Sequence, residues 1–204
     1  MSTLHERRKK RIKALLLAAA KKHYAAVQLP ADTVCIAPFS PSPMEMVIKV
    51  WERLRLQMSA DDVVVELGCG DARWLLHGVQ TYGCRAVGVE YDPQVAALAV
   101  ERVHVLHLQA SITISIDDIL HPTYRLPDRT TMVIVYAFAE TLNVNVKQLL
   151  VHQCQHPRTK VISVGFHIHG WIPQWSERYA GLMCYYYELV HDNSALEATT
   201  TLAR

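Results

Sequence analysis

From Asp62 onward, short apolar runs rich in β-branched residues alternate with stretches of helical apolar spacing. No other feature limits the possible folds as strongly. Strands are expected at Val63–Leu67, Arg85–Glu90, Ile112–Ile116, 132–138 and 160–167, and helices at 72–82, Pro93–Val105 and 142–154. Strands that are apolar on both sides, separated by helices, belong to a parallel sheet covered on both faces. Leu182–Val190, read as LMCYYYELV, is a last strand with no helix behind it, as in a sheet closed by a hairpin.

Upstream, Pro30, Pro38, Pro41 and Pro43 make a stiff connector. Ser42-Pro43-Met44-Glu45 reads as a capping box that opens a helix over 43–57, with Met46, Val47, Val50 and Leu54 on its apolar face. Before the prolines, Ile12, Leu15, Leu16, Ala19, His23, Tyr24 and Val27 predict an amphipathic helix over 6–27. The first 22 residues carry a charge of about +7, so the remainder is mildly acidic in a chain of net charge +2. A basic arm of this kind can meet nucleic acid, anionic lipid or an acidic partner, or simply be a solvated face. Three segments follow: a basic N-terminal helix at 1–29, a main domain at 30–192 and a loose polar tail at 193–204. The apolar run at 14–20 is too short to span a bilayer and has no cleavage pattern after it. Five scattered cysteines without a C-x-x-C pair point to free thiols in a reducing compartment. An intracellular protein without a transmembrane segment is expected, cytoplasmic or mitochondrial.

The stretch VVVELGCGDARWL, residues 63–75, places two glycines where the first strand turns into its helix. In an open parallel sheet that turn lies at the ligand crevice, and Gly68 and Gly70 allow a tight backbone close to a ligand. Glu90 ends the next strand about 20 residues later, where an acid can hold ribose hydroxyls. A dinucleotide site needs a third glycine at the position of Arg73, so a pyrophosphate ligand is disfavoured. S-Adenosylmethionine carries a ribose, a sulfonium and an ammonium but no phosphate. Glu66 before the glycines and Asp71 after them suit its positive charge.

These residues resemble the class I, seven-β-strand methyltransferases: ELGCGDA is similar to their first motif and GVEYD, residues 88–92, to their second. IDDIL, residues 116–120, falls where the family sets an acid against the adenine amino group, and Ala72 stands in for a usual third glycine. The resemblance covers about 38–190. It implies an α/β fold, a Rossmann-like doubly wound, mostly parallel seven-stranded sheet with an antiparallel C-terminal strand. It also implies S-adenosyl-L-methionine as cofactor, held by Phe39, Ser40, Glu66, Gly68, Cys69, Gly70, Asp71, Glu90, Tyr91, Asp117 and Asp118.

Three more stretches resemble the protein-lysine methyltransferases of mitochondrial ATP synthase subunit c and the adenine nucleotide translocase. They are APFSPSPMEMV at 37–47, VYAFAE at 135–140, with Ala139 where proline is usual, and HGWIP at 169–173, with His169 replacing a proline. The resemblance implies a protein lysine as acceptor, Tyr136 and Glu140 as the residues that orient its amine, and Phe39 and Trp171 as aromatic walls of its channel. Members of that group carry a hydrophobic membrane segment near the N-terminus, where this chain has its basic helix. A soluble protein substrate therefore fits at least as well as a membrane-embedded one. An RNA or small-molecule acceptor, or a cofactor-binding scaffold without catalysis, are the alternatives. His167 and His169 alternate near a strand end, and Asp61-Asp62 and Asp117-Asp118 are paired acids, but none has the company of ligands that a metal site requires. No metal is expected.

Overall fold

The computed structural model describes residues 39–190. The chain divides between Ser40 and Pro41 into two units, and every element named below belongs to the second. The helix expected over 6–27 and the tail expected at 193–204 lie outside the described residues, as does the basic segment on which an expectation of nucleic-acid contact rests.

Helix α1 spans Met44–Leu54 and tightens into a 3-10 turn, Arg55–Gln57. Then follow β1 (Val63–Leu67), α2 (Arg73–Tyr82), β2 (Arg85–Glu90), α3 (Pro93–Val105), β3 (Ile112–Ile116) and β4 (Met132–Val135). Helix α4 passes through three segments: Ala139–Thr141, a π-helical stretch Leu142–Val146, and Lys147–Gln153. Strands β5 (Arg158–Val164), β6 (Trp175–Tyr179) and β7 (Leu182–Val190) complete one seven-stranded sheet in the order β3-β2-β1-β4-β5-β7-β6. The first five strands are parallel, and β7 runs antiparallel to both β5 and β6. The doubly wound sheet expected from the alternation is therefore present, closed by a hairpin.

Side-chain alternation along the central strands divides the core in two. Val64, Met132, Ile134, Ile162 and Val164 pack with α1 and α2 on one face. Val65, Leu67, Val133, Val135 and Val161 pack with α4 on the other. Helix α1 buries Met46, Val47, Val50, Trp51 and Leu54 completely. The Trp51 indole N–H donates to the Trp74 carbonyl at 3.1 Å, which anchors α1 on α2. A tight fit at Gly78 permits this: a methyl group there would sit 2.4 Å from Cζ2 of Trp51.

At the amino ends of the strands, Asp62 ties three elements together. Its carboxylate accepts from Thr131 Oγ1 at 2.6 Å, Lys160 Nζ at 2.8 Å and the Ser59 backbone N–H at 2.8 Å. Burial alone would raise this carboxyl. The Lys160 and Thr131 hydrogen bonds prevail and hold it below its ordinary value.

Several boundaries differ from the sequence expectation, each for a local reason. The capping box does not form: Pro43 is the N-cap residue, and Ser42 Oγ instead accepts from the Trp74 indole at 3.0 Å. Glu45 turns outward to Lys49, 2.7 Å away. Strand β5 stops at Val164, because Gly165 takes φ +86° and turns the chain out of the sheet, and β4 stops at Val135, where its pairing with β5 ends. Helix α4 starts at Ala139, before its first buried apolar residue Leu142. Strand β6 is not legible in the sequence; it is an edge strand of mostly exposed residues. It is held from one side by Trp175, whose ring stacks on Tyr186 with centroids 5.4 Å apart and lies under the Arg53 guanidinium.

Gly78→Ala should be markedly destabilising, by about 1–3 kcal/mol from overpacking against Trp51. Urea unfolding followed by fluorescence measures this directly. A stability equal to wild type would show that the α1–α2 contact is loose.

Candidate active site

The sheet order reverses between β1 and β4, with β2 and β3 on one side and β5 on the other. In such sheets the ligand crevice opens outside the carboxyl ends of the strands at this point. Most of the residues expected to serve a ligand collect there.

Strand β1 enters the crevice as a continuous buried run, VVVEL. Its fourth residue, Glu66, shares a face with Val64 and is only 6% exposed. Its neighbours across the ladder are Gly88 and Ile134, which offer it no polar side chain. Glu66 Oε2 is buried without a hydrogen-bond partner, a condition it shares among the described residues only with the hydroxyl of Tyr124. Burial pushes the Glu66 carboxyl well above the ordinary carboxylate range, the negative charges of Asp71 and Glu90 add to this, and Arg73 opposes it.

After Leu67 the backbone turns through Gly68 (φ +77°), Gly70 (φ +56°) and Ala72 (φ +59°). The left-handed Ala72 explains why a glycine is also at home in that position. A side chain on Gly68 would meet nothing within 4 Å, so the turn leaves open space beside its backbone. Gly68 and Cys69 both donate their amides to the Val89 carbonyl at 2.9 Å, which lays the turn against the end of β2. The Cys69 side chain fits because Gly88 has none: an added methyl there would lie 2.7 Å from Sγ. Burial raises this thiol far above neutrality, so Cys69 serves packing and not nucleophilic chemistry.

Glu90 joins the two turns. Its Oε2 accepts from the Gly70 amide at 2.9 Å and its Oε1 from the Asp92 amide at 3.0 Å. Asp92 in turn caps α3 by accepting from the Gln94 amide at 2.8 Å. The Glu90 carbonyl accepts from the Asp117 amide at 3.1 Å, so the end of β3 is drawn to the same place. Asp117 and Asp118 form a polar turn, Asp117 Oδ1 accepting from the Asp118 amide and Asp118 Oδ1 from the Leu120 amide, both at 2.8 Å. Tyr91, between Glu90 and the cap, is half-buried.

Asp71 is placed differently from the expectation of an acid open to a cationic ligand. Its carboxylate is held by Arg73 through both Nε, at 2.9 Å, and Nη2, at 2.6 Å, and by Arg102 Nη1 at 2.7 Å. Burial would raise it, but the Arg73 hydrogen bonds with the charges of both arginines hold it below its ordinary value. Arg73 also donates to the Ser42 carbonyl at 2.6 Å. Asp71 thus fastens the turn to α1 and α3, and the carboxyl group of the turn left without a partner is that of Glu66.

The loops after β4 and β5 leave the sheet at the same carboxyl ends. Tyr136 is half-buried beside Gly165, where an added methyl would be 3.1 Å from the tyrosine ring. Phe138 is buried and Glu140 is exposed in the first turn of α4. Trp171 is half-buried, its ring edge-on to Tyr187 with centroids 5.8 Å apart. The His167 and His169 rings face each other at 4.8 Å, both exposed. Among the described residues, no group of three or more His, Cys, Asp or Glu is arranged to hold a metal ion. Phe39 and Ser40, both exposed, are the last residues of the N-terminal unit. Three residues with no sequence signal also belong to this end of the sheet: Arg102, the unpartnered Tyr124 near the Asp117 charge, and Asn143 in the π stretch.

A carboxyl group buried without a partner, a glycine turn with open space beside it and a carboxylate on the neighbouring strand make a cradle for a ribose-bearing cation. S-Adenosylmethionine has that chemistry, and these residues fit it.

A family model described as the ANTKMT methyltransferase domain matches residues 66–175. A protein-lysine N-methyltransferase of Saccharolobus islandicus (strain REY15A) is 26% identical over 138 residues, covering 67% of this chain and 81% of that protein. Among solved structures, an RNA methyltransferase from Salinibacter ruber in complex with S-adenosyl-L-homocysteine superposes with a TM-score of 0.65 at 24% identity, over 75% of this chain and 95% of that one. The putative methyltransferase yhhF from Escherichia coli gives 0.64 at 13% identity, over 76% and 92%. These two structures share the fold described above.

The raised Glu66 carboxyl makes the ligand-free protein sensitive to pH in a definite direction. A group whose pKa is higher folded than unfolded binds its proton more tightly when folded, so its stabilisation is full at low pH. It is lost as pH rises from the ordinary glutamate value through the raised one. Glu66→Gln keeps the shape and removes the titration. Thermal melts of the free protein across that interval should show a decline in wild type that is absent or much reduced in the variant. Parallel curves would mean that Glu66 is solvated.

Proposed function

The chain belongs to the ANTKMT methyltransferase family, and from that premise we propose that it transfers the methyl group of S-adenosylmethionine to the side-chain nitrogen of a protein lysine. The observation that carries the cofactor is Glu66, a buried carboxylate whose free oxygen a ligand cation satisfies. The similarity of the 135–140 and 169–173 stretches to lysine-modifying enzymes, together with the Saccharolobus relative, supports the acceptor.

When bound, the cofactor supplies an electrophilic methyl group on a sulfonium. Glu66 answers its positive charge, the Gly68–Gly70 backbone admits it closely, and Glu90 takes its ribose hydroxyls while keeping the two amide bonds that shape the turn. Asp117 and Asp118 hold the base end. Direct displacement asks little of the protein beyond alignment, so the chain's work is to fix the acceptor in line. A lysine must arrive without its proton, and burial among Tyr136 and Trp171 lowers its pKa in that direction. Tyr136 and Glu140 orient the amine from one side, and Trp171, braced on Tyr187, lines the other. No helix among the described residues is long and apolar enough to cross a membrane.

The full chain incubated with radiolabelled cofactor and a cell extract should yield label that survives nuclease, is released by protease, and elutes as methylated lysine after acid hydrolysis. Label removed by nuclease would overturn the protein acceptor. Tyr136→Phe and Glu140→Gln should lower turnover by tenfold or more and leave the affinity for S-adenosylhomocysteine unchanged. Trp171→Phe, which retains an aromatic against Tyr187, should raise the KM for the acceptor more than it lowers kcat. Wild-type rates in all three would remove the lysine pocket from the account.

A further inference from the structure

Asn143 lies in the π-helical stretch of α4, where the widened turn sets its side chain toward the loop after β5. Its Nδ2 donates to the Ala139 carbonyl at 2.8 Å and to the His167 carbonyl at 3.3 Å. Its Oδ1 accepts from the His169 backbone amide at 2.6 Å. One turn further along, Lys147 Nζ donates to the His169 carbonyl at 2.6 Å. The peptide groups at His167 and His169 are therefore held by two side chains of α4. The Ile168 amide between them donates to the Tyr187 hydroxyl at 2.9 Å. π-Helical turns occur often at functional sites, because the extra residue redirects one side chain out of the regular helix.

The consequence concerns the two loops that line the acceptor side. The loop after β4 brings Tyr136 and ends in the turn that carries Glu140; the loop after β5 brings His167, His169 and Trp171. No strand pairing connects them beyond Val135↔Ser163. Left to themselves, two loops of this length move independently on the timescale of nanoseconds to microseconds. Asn143 bonds to the helix start at Ala139 and to both sides of Ile168 at once.

We propose that Asn143, assisted by Lys147, is a positioning residue that fastens the Trp171 loop to the Tyr136–Glu140 loop, so that both walls of the methyl-acceptor pocket hold one fixed separation. The inference rests on the acceptor entering between those loops. It does not depend on whether the acceptor is a lysine.

Two measurements test it, and the first needs neither cofactor nor acceptor. Hydrogen exchange on the full chain should show the 167–171 segment strongly protected in wild type. In Asn143→Ala, exchange in that segment should be at least tenfold faster, while exchange across β1, β2 and β4 is unchanged. Lys147→Met should give a smaller change in the same segment. The second measurement is steady-state methylation of whichever acceptor the radiolabel identifies. Asn143→Ala should lower kcat/KM for the acceptor by tenfold or more, with affinity for S-adenosylhomocysteine within twofold of wild type. Asn143→Asp keeps the oxygen that accepts from the His169 amide and should recover part of both effects. Wild-type protection in Asn143→Ala would overturn the clamp. A loosened loop with an unaltered kcat/KM would overturn its positioning role. Label found on a nucleic acid or a small molecule would refute the lysine reading while leaving both outcomes for Asn143 decidable.

Discussion

Two hydrogen bonds to one carboxylate set the geometry of the cofactor end. By accepting from the Gly70 and Asp92 amides, Glu90 joins the turn after β1 to the turn after β2. A charged acceptor makes such bonds stronger than neutral pairs, worth about 1.5–3 kcal/mol each. Both turns hold left-handed or capped backbone that would otherwise be free to move. With Glu90 in place, the Gly68 backbone faces open space, and the last strands of the reversal point their carboxyl ends at one crevice.

Charge in that crevice is arranged unequally. Asp71 is paired with two arginines, and Glu90 accepts from two amides, whereas Glu66 is buried and left with a free oxygen. An ionised carboxylate without a partner in a dry site is costly, and the site answers by raising its pKa until a cation arrives. Among the described residues the two arginines at the turn, Arg73 and Arg102, are both engaged by Asp71, an arrangement that suits a cationic ligand better than a phosphate. That distinguishes it from the dinucleotide folds whose sheet it shares. The side proposed for the acceptor is built by other means: the Trp171 ring is edge-on to Tyr187, and Asn143 and Lys147 hydrogen-bond to the backbone at His169.

Much of this was legible in the sequence. Five elements, β1, β2, β3, α3 and β7, fall at their expected limits, because their patterns are uninterrupted and their ends are marked by glycine, proline or a charge. The cofactor turn was legible because glycines and acids at fixed offsets have few other uses. What failed depends on distant neighbours. Ser42 leaves its capping box for a tryptophan 32 positions away. Asp71 reads as an open acid until Arg102 arrives from another helix. Strand β6 has no apolar alternation because it packs on one side only, and the role of Asn143 depends on a π turn that no apolar spacing announces.

The central claim is that the glycine turn takes a cationic nucleoside and refuses a pyrophosphate. Calorimetric titration of the full chain with S-adenosylmethionine, and separately with NAD, addresses it most directly. One equivalent of S-adenosylmethionine should bind with a Kd on the order of micromolar, near −8 kcal/mol, and NAD should give no saturable heat. Saturable NAD binding that S-adenosylmethionine fails to displace would contradict the account.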